Sequence, residues 1–117
     1  MTRVKVFAGD CGFSAIVQAD KINPSTVSVV IQSPCEMLKA LSNALSEVDY
    51  RQVCTAWIDC AVFVAANRHI PHNDCPVPSV VVKAIAVEMG AAQPRDVVVS
   101  FERECIQMPY GLNPLDA

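Results

Sequence analysis

The chain is short of charge and carries no excess of the positive sign. Only 18% of its 117 residues are charged, and the formal net charge is -3. Nothing here supplies the basic surface that neutralises phosphates, which argues against nucleic-acid binding driven by charge. Long apolar runs are missing too. The longest, Cys60-Ala61-Val62-Phe63-Val64-Ala65-Ala66, falls far short of the roughly 20 residues a membrane helix needs. The N-terminus, Met1-Thr2-Arg3-Val4-Lys5-Val6-Phe7, alternates charge with apolar residues, so it does not read as a secretory segment. A cytoplasmic protein without membrane contact is expected. Glycine loops for phosphate or dinucleotides, an H-E-x-x-H metal helix and a G-x-S-x-G nucleophile elbow are all absent, so no conventional enzyme constellation emerges. No repeat or internal linker divides the chain. Residues 1–106 therefore read as a single domain, and residues 107–117, with two prolines, as an irregular tail.

What is present is apolar substance and sulfur. The 52% hydrophobic content suffices for a core at this length. The 6 cysteines make about 5% of the chain, below the roughly 8–10% of secreted disulfide scaffolds. In a reducing compartment such a number points to metal, redox or sulfur chemistry before disulfides. Packing is the competing explanation, because free cysteine is among the most buried residue types.

Local patterns predict an α+β domain with a mainly antiparallel four-stranded sheet and about three helices on one face. Residues 3–8 and 13–20 flank the glycine-bearing turn Gly9-Asp10-Cys11-Gly12 and read as a hairpin. After Asn23-Pro24-Ser25, residues 26–32 place Val27, Val29 and Ile31 on one face, completing a three-stranded meander. Ser33-Pro34-Cys35-Glu36 reads as a capping box with proline at the first helical position. A helix with Met37, Leu38, Leu41, Leu45 and Val48 at helical spacing follows. A second helix is expected from residue 49 or 50 to 67, burying Val53, Trp57, Ala61 and Val64. It is apolar all round, which fits a central position or cover by a partner chain. The third opens near Cys75-Pro76-Val77-Pro78 and ends at Met89 before Gly90. Residues 96–102 are expected to form the fourth strand.

That order of elements predicts where the cysteines gather. The first hairpin turn, the end of the third strand, the loop of residues 68–74 and the end of the last strand all fall at one edge of the sheet. Cys11, Cys35, Cys75, Cys105, His69 and His72 should meet there, with Cys54 at the opposite end and Cys60 inside the second helix. Cys35 and Cys75 also lie at helix N-termini, where unpaired N–H groups favour thiolate and should lower the pKa. Cys11, Cys35, His72 and Cys75 then supply four ligands for zinc or an iron–sulfur centre, with His69 or Cys105 as substitutes. No C-x-x-C pair supports this set. A structural or adaptor subunit without chemistry, in a homodimer or larger complex, remains the alternative.

Two resemblances bear on these residues. Cys75-Pro76-Val77-Pro78, with the helix and strand expected after it, resembles the C-P-x-P motif of the small sulfur-carrier proteins. That resemblance implies Cys75 as a persulfide carrier at a helix N-terminus. Over most of its length the chain resembles an uncharacterised family of small proteins of anaerobic bacteria and archaea. The resembling residues are Ala8-Gly9-Asp10-Cys11-Gly12-Phe13, Ser33-Pro34-Cys35, Pro71-His72-Asn73-Asp74-Cys75-Pro76-Val77-Pro78 and Lys83-Ala84-Ile85. The anaerobic setting this implies raises the weight of iron–sulfur or sulfur chemistry by association.

Overall fold

The computed structural model describes residues 1–102 and has an α+β fold with a four-stranded antiparallel sheet. Strand β1 (Thr2–Phe7) turns through Gly9 and Gly12, whose φ angles of 79° and 75° lie in the left-handed region that glycine enters without penalty. The Gly12 N–H closes the turn on the Gly9 carbonyl at 2.9 Å. Strand β2 (Ser14–Asn23) returns, and its Asn23 side chain accepts from the Ser25 N–H at 2.9 Å to start the next turn. Strand β3 (Thr26–Gln32) follows. Alternation sets the buried face: Ala15, Val17 and Ala19 of β2 lie beside Val27, Val29 and Ile31 of β3.

The fourth strand corrects the expectation. It is β4 (Val48–Asp49), two residues paired with Thr26 and Val27, while residues 96–102 pair with no strand among the described residues. β4 is too short to cover all of β3. Helix α1 (Glu36–Ala44) completes the edge: its Ser42 hydroxyl accepts from the Ile31 N–H at 2.9 Å, and the Leu45 carbonyl accepts from the Val29 N–H at 3.1 Å. The capping box does not form. Cys35 occupies the N-cap, Pro34 precedes it, Ser33 Oγ accepts only from the Cys35 N–H, and Glu36 pairs with Lys39.

The expected second helix is broken into three pieces. Asp49 caps α2 (Tyr50–Val53) by accepting from the Arg51 N–H, and the backbone leaves the helical region at Cys54. A 3₁₀ turn (Trp57–Asp59) follows, and Cys60, in extended conformation, is the N-cap of α3 (Ala61–His69). The breaks reorient the apolar residues. Val53, Cys60 and Val62 are buried, whereas Trp57 is 79% exposed and Val64 is also on the surface. Splitting resolves the problem of a helix apolar on every side.

Helix α4 (Val77–Glu88) runs over β1 and β2, burying Val77, Val81, Ala84 and Ile85 against them, with Pro78 in its first turn. Gly90, at φ 81°, ends it as expected, and the Ala91 N–H closes on the Ala86 carbonyl at 2.8 Å. The Glu88 carboxylate ties this end of α4 to the sheet. It accepts from Thr2 Oγ1 at 2.8 Å and the Lys21 N–H at 2.9 Å, and pairs with the Met1 amine at 3.3 Å. α3 packs on α1 and α4, which places the helices on the one buried face of the sheet. No helix among the described residues is long and apolar enough to cross a membrane.

Candidate functional site

Three segments distant in sequence meet at the edge where β1 ends and α1 and α4 begin. Cys11 is exposed in the β1–β2 turn, held between the two left-handed glycines. Cys35 is buried at the N-cap of α1, 8% exposed. His72 sits in the loop after α3, and Cys75 is half-buried immediately before Pro76, the N-cap of α4. All four line a single small cavity of about 50 Å³. Its remaining wall is apolar, built from Ala8, Phe13, Met37, Leu38 and Ile70. The ordering inferred from alternating chain direction thus brings Cys11, Cys35, His72 and Cys75 together. The break in the second helix changes its faces without adding a reversal, so α3 still returns the chain to this edge.

The electrostatics differ from expectation at Cys75. Burial pushes its thiol pKa up, and the charges of Cys11, Cys35 and Asp74 push it further in the same direction. A hydrogen bond from the Val77 N–H pulls the other way and is outweighed. The helix N-terminus therefore does not produce a low-pKa thiolate here. Negative charge on either neighbouring sulfur therefore opposes ionisation of Cys75.

The other candidates lie elsewhere. His69, the last residue of α3, lines a separate groove with Leu45, Glu47 and Asp49. Cys54 is exposed at the C-cap of α2 rather than at the start of a helix, and Cys60 is buried at the N-cap of α3 rather than in mid-helix. Cys105 lies outside the described residues. The five described cysteines are all free thiols. Among the described residues, no group of three or more His, Cys, Asp or Glu side chains stands close enough to hold a metal ion as placed.

Two features leave no local mark in the sequence. Trp57 stacks on Phe63 with ring centroids 5.2 Å apart and planes within 6°. The pair walls an open groove of about 640 Å³ that meets the cysteine cavity at Ile70, His72 and Cys75. On a different side, burial and a hydrogen bond with Cys54 push the Tyr50 phenol pKa up. Only the break between α2 and α3 exposes Trp57, and no local signal marked that break.

Residues 2–101 match a family described as a family of unknown function (DUF6951). The chain belongs to this family. The match spans the three cysteines and the histidine of the cavity. No curated protein and no solved structure matches the chain.

Proposed function

We propose that this is a small cytoplasmic metal-binding protein that takes zinc or an iron–sulfur centre at the cavity formed by Cys11, Cys35, His72 and Cys75. One observation carries the reading: four soft or borderline donors, from three separate segments, line the same cavity. Three thiols and one imidazole are a donor set suited to zinc or to iron bound by thiolate. A space of about 50 Å³ suits a single ion better than a cluster of several irons, which favours zinc. The four donors do not stand close enough to hold an ion as placed; Cys11, exposed in a turn hinged by Gly9 and Gly12, is the donor with the backbone freedom to close on one. A bound cation would hold the sulfurs as thiolates and offset the charge that opposes ionisation of Cys75.

The test is titration of the reduced, metal-free protein with cobalt(II), followed by displacement with zinc. Charge-transfer absorption from thiolate to cobalt is expected at about one ion per chain, and it should be lost in Cys11→Ser, Cys35→Ser and Cys75→Ser alike. Binding that survives loss of Cys11 and Cys35 defeats the proposal.

A second reading draws on the Val77 N–H hydrogen bond to the Cys75 sulfur and on the groove beside it. Cys75 would then carry a persulfide, as the likeness to C-P-x-P proteins implies. Sulfur carriage should survive Cys11→Ser and vanish only with Cys75→Ser, so the same variants separate the two readings. Tight thiols without metal or sulfur would leave a structural or adaptor subunit.

A further inference from the structure

The cavity shared by Cys11, Cys35 and Cys75 also meets the needs of thiol–disulfide exchange, which asks less of it than a metal does: two sulfurs in place of four donors. Its wall is otherwise apolar, built from Ala8, Phe13, Met37, Leu38 and Ile70. A disulfide is uncharged and makes no demand for hydrogen bonds, so it suits that wall better than ionised sulfur does. In a reducing compartment such a pair is a dithiol at rest, and its oxidation is transient and serves redox sensing or catalysis.

The three thiols differ in access and in freedom to move. Cys11 is exposed, so a reagent from solvent meets it first. Its turn is tied at the base, where the Ala8 N–H donates to the Phe13 carbonyl at 3.0 Å, and within that base the chain swings on Gly9 and Gly12. A Cβ added at either glycine meets nothing within 4 Å, so the turn has open space around it. Cys35 has neither property. It is buried, its N–H donates to Ser33 Oγ at 3.2 Å, and as the N-cap of α1 its carbonyl accepts from the Lys39 N–H at 3.1 Å. Cys75 is half-buried and lines both the cavity and the groove walled by Trp57 and Phe63. Charge on Cys11 acts on Cys75 more strongly than charge on Cys35 does, which agrees with Cys11 as its partner.

We propose that Cys11 and Cys75 form a reversible disulfide couple that exchanges with low-molecular-weight disulfides. The Cys11 sulfur, as thiolate, attacks one sulfur of the small disulfide. That S–S bond breaks, one small thiol leaves with the proton Cys11 gave up, and a mixed disulfide remains on Cys11. The Cys75 sulfur then attacks the Cys11 sulfur and displaces the second small thiol, which takes the Cys75 proton. The two protein thiols are oxidised, and the small disulfide is reduced to two thiols. The couple needs no metal. Closing the bond removes two of the four donors of the proposed ion, so oxidation expels the ion; that link alone rests on the metal reading.

The test is equilibration of the reduced, metal-free full chain with a series of glutathione and glutathione disulfide mixtures, followed by alkylation, intact mass and peptide mapping. A reversible bond between Cys11 and Cys75 is expected within one chain, with Cys35 still a thiol. Cys75→Ser should trap glutathione on Cys11. Cys11→Ser alters an exposed side chain, so circular dichroism should be unchanged while the bond no longer forms. Cys54→Ser, exposed and away from the cavity, should form the bond as the wild type does. A bond that uses Cys35, a wild type that keeps glutathione on Cys11, or dithiols that persist across the whole series overturns the proposal. Loading with zinc beforehand should slow the bond about tenfold or more. A chain that takes no zinc and still forms the bond overturns the metal reading and supports the couple.

Discussion

Glu88→Gln isolates the contact that anchors α4, the helix whose start carries Cys75 into the cavity. In the wild type the Glu88 carboxylate is 12% exposed. Its pKa lies below the usual 4.5, chiefly because the Lys21 N–H donates to it, with Thr2 Oγ1 adding a second bond. Hydrogen bonds to a charged acceptor contribute about 1.5–3 kcal/mol each. The pair with the Met1 amine is half-exposed and contributes under about 1 kcal/mol. Glutamine keeps one acceptor oxygen and loses the charge, so the variant should lose about 1.5–3 kcal/mol near neutral pH. In a domain of this size that lowers Tm by about 4–8 °C for each kcal/mol. The pH dependence has a definite sign. A carboxylate with a depressed folded-state pKa stabilises fully above about pH 4.5 and loses that contribution as the pH falls through the folded-state value. Thermal or urea unfolding between pH 7 and pH 3 should show wild type and Glu88→Gln converging as the pH falls. Equal stability at pH 7, or a gap that does not narrow in acid, would refute the reasoning.

The metal-free protein should lose stability as the pH rises above about 9. The Cys75 thiol has a raised folded-state pKa, which stabilises below the usual 9.0 and ceases to do so as pH climbs through the folded value. Cys75→Ala should flatten that decline in urea melts. Gly12→Ala should cost about 1–2 kcal/mol through the left-handed backbone alone, because an added Cβ would meet nothing within 4 Å. Chemical denaturation measures the cost, and reduced cobalt affinity would register displacement of Cys11.

The elements that were legible carry their own punctuation. β1, β2 and β3 have period-two alternation and turns marked by Gly9, Gly12 and Asn23-Pro24, so both hairpins follow from local chemistry. α4 is bounded by prolines and Gly90. The gathering of Cys11, Cys35, His72 and Cys75 followed from counting reversals, which tolerates errors inside an element. What escaped depends on distant partners. Residues 54–60 contain no glycine or proline, so nothing local stops a helix there, and the interruption buries Cys60 while leaving Trp57 in water. β4 has only two residues, too few for a periodic signal. Residues 96–102 have strand chemistry, but a strand exists only where a neighbour pairs with it. A helix N-terminus alone predicts a lowered Cys75 pKa, and the burial that outweighs it depends on packing partners distant in sequence.

Elemental analysis with a visible absorption spectrum, on protein purified without oxygen, tests metal binding most directly. About one zinc per chain without colour is expected, or iron with thiolate charge-transfer bands if the site takes a cluster. Either should fall together in Cys11→Ser, Cys35→Ser and Cys75→Ser. Protein that stays free of metal after anaerobic reconstitution, with all three thiols open to alkylation, would contradict the metal site.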